Sequence, residues 1–140
     1  MLNITGTWIL VSMDSISSDG QMKEIYGKDP FGIAIFDEAG YLNMQLGSKN
    51  RKLFNSDALN KGTCEEVMNA FNSYMAFYGK YSEKSPGILS VKLEGSLFPN
   101  WQGKEIIRYV EIADNTMFLT TPQTKLGSND VVVKAKWRKY

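Results

Sequence analysis

Short runs of alternating apolar and polar residues fill most of the chain, and turn-forming clusters separate them. Ile88 to Leu97 shows the pattern most cleanly: Leu89, Val91 and Leu93 alternate with Ser90, Lys92 and Glu94. Val131 to Lys139 repeats it, with Val131, Val133, Ala135 and Trp137 set against Lys134, Lys136 and Arg138. A period of two is that of a half-buried strand. Gly6 to Ile16, Gln21 to Tyr26, Gly32 to Phe36, Tyr41 to Leu46, Lys80 to Lys84, Lys104 to Ile112 and Thr116 to Thr121 read as further strands. Ser18-Asp-Gly20, Asp37-Glu-Ala-Gly40, Ser85-Pro-Gly87 and Asp114-Asn115 supply turns, and Pro122 to Asp130 a longer loop.

The rhythm breaks once. Residues 47–62 are polar and irregular. Thr63-Cys-Glu-Glu66 then forms a capping box, which predicts a helix over about 63–78. Val67, Phe71, Tyr74 and Tyr78 fall on one stripe of that helix. The stripe reads as packing over one end of the fold, and the insertion is long enough to serve as a lid. One helix with eight or nine short antiparallel strands predicts a mostly β protein, a single up-and-down barrel spanning 1–140.

Alternation also assigns the charged residues. Lys134, Lys136 and Lys139 go outward on the last strand. Between Lys104 and Ile112, Glu105 and Glu111 mark the wet face, so Ile106, Arg108, Val110 and Ile112 face the interior. An inward arginine needs a partner. Glu94 points outward by strict alternation, unless a bulge at Gly95 shifts the phase and turns Ser96 or Glu94 itself inward.

Composition narrows the chemistry. The chain is 43% hydrophobic and 22% charged, as in a globular protein, with net charge +1. That balance predicts no nucleic-acid partner. No apolar run approaches the ~20 residues of a membrane span. The first residues lack the charged and apolar regions of a signal peptide, and Cys64 is the only cysteine. We therefore expect a cytoplasmic protein without disulfides. A cysteine at the first helical position has a lowered thiol pKa, but Glu65 and Glu66 beside Cys64 oppose a thiolate, and we read it as chemically inert. Histidine is absent, so no metal site or cofactor is expected and the commonest general base is missing. No local pair of carboxylates and no glycine-rich nucleotide loop stands out.

Gly6-Thr7-Trp8 on the first strand is similar to the Gly-x-Trp that opens lipocalins and other calycins. Arg138 resembles the arginine that stacks on that tryptophan and closes the barrel. Gly95-Ser-Leu-Phe-Pro-Asn-Trp-Gln-Gly103 followed by Arg108, the hairpin around Phe36 to Gly40, and Tyr78-Gly-Lys-Tyr81 resemble the bacterial and fungal lipocalin-like domain family. The resemblance runs from about Gly6 to Arg138. It implies a small closed barrel with an internal cavity, and some barrels of this general type act as cyclases or isomerases. Family members often carry histidine just before the Glu-x-Ser-Leu stretch, where this chain has Val91 and Lys92. Any family chemistry that uses that histidine is thereby in question.

Two functions follow as expectations. The first is binding of a small, mostly apolar molecule bearing a carboxylate or carbonyl group. Arg108 is then the polar anchor with Tyr81, Ser96 and Asn100 nearby, and Met13, Met44, Met117 and Trp101 contribute to the wall. The alternative is a cofactor-free isomerase or cyclase acting on a small hydrophobic substrate in the same cavity, with Tyr81, Arg108 or a carboxylate steering protons or charge. The missing histidine favours binding. Trp8 and Arg138 are expected to serve as structural closure.

Overall fold

The computed structural model describes residues 2–140; Met1 lies outside the described residues. The chain forms β1 (Gly6–Ser17), β2 (Met22–Glu24), β3 (Phe31–Phe36), β4 (Tyr41–Gly47), α1 (Cys64–Asn72), β5 (Tyr74–Ser85), β6 (Ile88–Ser96), β7 (Glu105–Ala113), β8 (Thr116–Thr120), β9 (Thr124–Leu126) and β10 (Asn129–Lys139). Eight strands, in the order β1-β3-β4-β5-β6-β7-β8-β10, close into an antiparallel barrel through β1 against β10. Closure removes the unpaired edges that an open sheet would leave. The short β2 and β9 flank β1 and β10.

The core follows the predicted alternation. Leu89, Val91 and Leu93 are buried, as are Val131, Val133, Ala135 and Trp137. Two irregularities reset the phase. Leu10 pairs with Trp137 and Ser12 with Lys136, so Val11 is an extra residue. The shift brings Met13 and Ser15 onto the inner row opposite Ala135 and Val133. On β6, Gly95 pairs with Tyr78 and Leu93 with Gly79, which leaves Glu94 as the extra residue. Ser96 therefore shares the inner face with its partner Phe77, while Glu94 stays exposed. Gly79 sits opposite this bulge, where a Cβ would lie 2.0 Å from the Lys92 carbonyl oxygen.

The helix is shorter than the capping box and stripe predicted. Both capping hydrogen bonds form: Glu66 N–H donates to Thr63 Oγ1 at 3.1 Å, and Thr63 N–H to Glu66 Oε1 at 2.9 Å. The helix ends at Asn72, with Ser73 as its C-cap. From Tyr74 the chain pairs with β4, and Met75 and Phe77 turn inward opposite Leu46 and Met44. A β ladder satisfies these backbone groups and seals the barrel, which another helical turn would not do. The aromatic spacing was that of a strand from residue 74 onward. Val67 is 53% exposed, and on α1 the predicted stripe reaches the barrel end only through Phe71.

Up-and-down connectivity places alternate links at the same end. The short turns 37–40, 86–87 and 114–115 lie at one end with the start of β1 and the end of β10. The long connections 18–30, 48–73, 97–104 and 121–128 all gather at the other.

The short-turn end is closed by a cation and a tryptophan, but the cation is not Arg138. Trp8 is buried and donates from Nε1 to the Ile4 carbonyl at 2.8 Å. Lys139 Nζ lies 4.6 Å from the Trp8 ring centroid and donates to the Thr5 carbonyl at 2.6 Å. Register explains the correction. Trp8 pairs with Lys139, whereas Arg138 pairs with Ile9 and is exposed on the outer face. Lys139 is thus the inward residue of the pair, against the expectation that it is solvated. Gly6, at φ 127°, leaves room for the lysine, whose Nζ would be 2.9 Å from a Cβ there. Glu83 completes the closure by accepting the N–H groups of Leu2 and Gly87, which holds its carboxyl below the usual range. Lys139→Met should lower the melting temperature, because cation–π contact contributes about 0.5–1 kcal/mol at partly exposed sites. Arg138→Met should leave it nearly unchanged in the same thermal scans.

Candidate functional site at the open end of the barrel

A cavity of about 620 Å³ opens among the four long connections. Its inner wall carries Met13, Met44, Phe77, Leu119, Ala135 and Trp137. Each long connection adds to the rim: Ile25 and Tyr26 from the first, Phe71 from α1 in the second, Phe98 and Trp101 from the third, and Thr121 to Gly127 from the fourth. Burial raises the Tyr26 phenol above its ordinary value, so it stays neutral at physiological pH. Within these long connections Met22, Val67, Met68 and Leu126 are exposed.

Trp101 stands on a 3-10 turn, Pro99–Trp101. Its ring meets Phe77 and Phe98 edge-on, at centroid distances of 5.9 and 5.7 Å. Arg108 Cζ lies 6.0 Å from its ring centroid. Arg108 pairs across the ladder with Leu89, an inward residue, which sends its side chain to the cavity as the strand pattern predicted. The guanidinium donates to the Ile107 carbonyl from Nη1 at 2.8 Å. The ion pairs among the described residues are Lys84–Glu105 and Lys125–Asp130, and neither includes Arg108. Burial pushes the Arg108 pKa down to about 10, yet it remains charged at neutral pH. The site thus combines an apolar wall with one unneutralised cation.

The other sequence-predicted residues divide clearly. Met13, Met44, Trp101 and Arg108 line the cavity together. Tyr81 faces inward but at the opposite end, where its hydroxyl donates to the Asp37 carbonyl at 2.8 Å and its ring meets Phe36 edge-on. Met117 is fully buried in the core and does not reach the cavity. Asn100 is exposed on the 3-10 turn. The Ser96 hydroxyl accepts the Phe98 N–H at 3.2 Å, so it braces the loop and is not on the cavity wall. Glu94 lies outside against Tyr41, whose phenol it raises above its ordinary value. The rim residues Ile25, Tyr26, Phe71, Phe98 and Pro122 to Leu126 were missed. Their signal is the grouping of the long connections, which residue-by-residue patterning does not show.

The lining includes no Asp, Glu or Cys. Among the described residues, no group of three or more His, Cys, Asp or Glu could hold a metal ion. No helix among them is long and apolar enough to cross a membrane.

The lipocalin-like domain family matches residues 5–140, nearly the whole chain. The chain belongs to this lipocalin-like family. Among solved structures, it resembles a lipocalin-like protein from Bacteroides uniformis ATCC 8492, at 15% identity and a TM-score of 0.50, with 98% of each chain covered. It also matches an uncharacterized protein from Bacteroides eggerthii DSM 20697, at 20% identity and a TM-score of 0.46, covering 97% of this chain and 98% of that one. At such identities the first match speaks to the lipocalin-like fold alone. No curated protein matches the chain.

Proposed function

We propose that this lipocalin-like protein binds a small, mostly apolar molecule through a carboxylate or carbonyl group held by Arg108. The observation that carries the reading is a half-buried guanidinium on an apolar cavity with no carboxylate partner. A buried charge left without a counter-charge is costly, and a ligand acid supplies one. The apolar wall provides the remaining affinity through area removed from water. The lining offers no carboxylate, histidine or thiol to move a proton, which favours binding over isomerase or cyclase chemistry.

Dodecanoic acid and dodecan-1-ol make the first test, followed by intrinsic tryptophan fluorescence, since Trp101 and Trp137 both line the cavity. The acid should saturate the signal at one equivalent, and the alcohol should bind about tenfold or more weakly. Absence of saturable binding by either compound would refute the reading. Extracts of the source organism, compared by mass spectrometry before and after incubation, separate the two classes of function. A compound retained unchanged on the protein marks a binder, whereas one consumed beyond stoichiometry marks an enzyme.

A further inference from the structure

Trp8 and Trp137 are both buried in the barrel, and the fold treats their indole N–H groups differently. Trp8 donates to the Ile4 carbonyl. The Trp137 Nε1–H is the one buried side-chain polar group among the described residues that has no partner. Such a donor has lost water and gained nothing in return, which weakens the fold unless an acceptor arrives. Its cross-strand neighbours, Leu10 and Met117, carry no side-chain oxygen. Trp137 borders the cavity but is 0% exposed, so an oxygen entering from the cavity reaches the indole only as the side chains between them repack.

The ladder locates this donor relative to Arg108. Tyr109 pairs with Thr120, and Thr120 pairs with Lys134. One residue along, Arg108 is level with Thr121 and Val133. From Val133 to Trp137, β10 advances roughly 13 Å toward the closed end. Two donors are therefore separated along the barrel: the Arg108 guanidinium high on the cavity wall, and the Trp137 indole N–H deeper, just behind the wall. Met13 and Met44 line the same cavity, and unbranched thioethers repack readily around an incoming group.

We propose that the ligand is two-ended: an elongated apolar acid whose carboxylate meets Arg108 and whose chain carries a second acceptor oxygen, as a ketone, for the Trp137 indole N–H. This rests on Arg108 as the anchor and adds the polar group at the other end.

Calorimetric titration of dodecanoic acid and of dodecanoic acids bearing a ketone at successive chain carbons tests it. At least one keto acid should bind about tenfold tighter than the parent. The Trp137 indole proton should move downfield in NMR with that keto acid and not with dodecanoic acid. Trp137→Phe should bring the ratio of the two affinities to about one. If no keto acid binds better and the indole resonance does not move, the proposal is overturned while the Arg108 anchor stands. If dodecanoic acid itself does not bind, both are overturned. Should Trp137→Phe fail to fold, the indole resonance of the unaltered chain, assigned by elimination with Trp8→Phe and Trp101→Phe, decides the matter.

Discussion

Arg108→Met should raise the melting temperature of the ligand-free protein by roughly 5 °C while weakening dodecanoic acid binding about a hundredfold or more. The two effects share one cause. The fold holds the guanidinium at about pKa 10, below its ordinary value, because burial disfavours its charge. The unfolded chain therefore binds that proton more tightly than the folded chain. At neutral pH the charge costs stability, and the cost is relieved only as pH rises through 10. The contact with Trp101 and the bond to the Ile107 carbonyl offset part of it. A net cost of about 1–2 kcal/mol is consistent with burial of this extent. Methionine has a similar length and no charge, so it removes the cost and keeps the apolar wall. The same change takes away the counter-charge for the ligand acid. Thermal scans with and without dodecanoic acid, together with titration calorimetry, check both halves. A variant that loses stability and binds normally would mean that Arg108 only braces the loop beneath Trp101.

Trp8→Ala should lower stability by about 3–5 kcal/mol, or roughly 10–15 °C in melting temperature. Trp8 is 1% exposed, and its removal leaves a cavity that its strand neighbours cannot collapse into. It also removes the donor to Ile4 and the ring beneath Lys139. Because Trp8 lies at the end opposite the cavity mouth and is not on the cavity wall, the affinity for dodecanoic acid should stay within about twofold where the variant is folded. Denaturant melts measure the first effect and calorimetry the second. An affinity loss as large as that expected for Arg108→Met would show that the two ends are not independent.

The barrel was legible because its inner rows alternate so regularly. Leu89-Val91-Leu93 and Val131-Val133-Ala135-Trp137 face inward as their spacing predicts. Alternation also sent Arg108 to the interior. Its limits are as instructive. Tyr74 to Tyr78 satisfies a helical stripe and a strand equally well in sequence, and only the ladder to β4 decides between them. Arg138 and Lys139 are adjacent, so a single step of register exchanges which of them covers Trp8. Tyr81 was expected beside Arg108; it faces inward at the closed end instead, and facing inward does not tell which end of a barrel a residue occupies. That information lies in the connections. Because long and short links alternate along this chain, the mouth could have been assigned by their lengths before any side chain was considered. Alternation placed Trp137 inside, but its unpartnered N–H gave no sequence signal, since an indole without an acceptor is apparent only once its neighbours are placed.

The central claim is that a ligand carboxylate sits against the Arg108 guanidinium. It is tested most directly by carbon-13 NMR of carboxyl-labelled dodecanoic acid bound to the protein, titrated between neutral and acidic pH. Beside an unneutralised guanidinium, the bound carboxyl should stay ionised well below the ~4–5 range of a free carboxylic acid. A bound carboxyl that titrates above that range, as burial in an apolar cavity without a cation requires, would contradict the account.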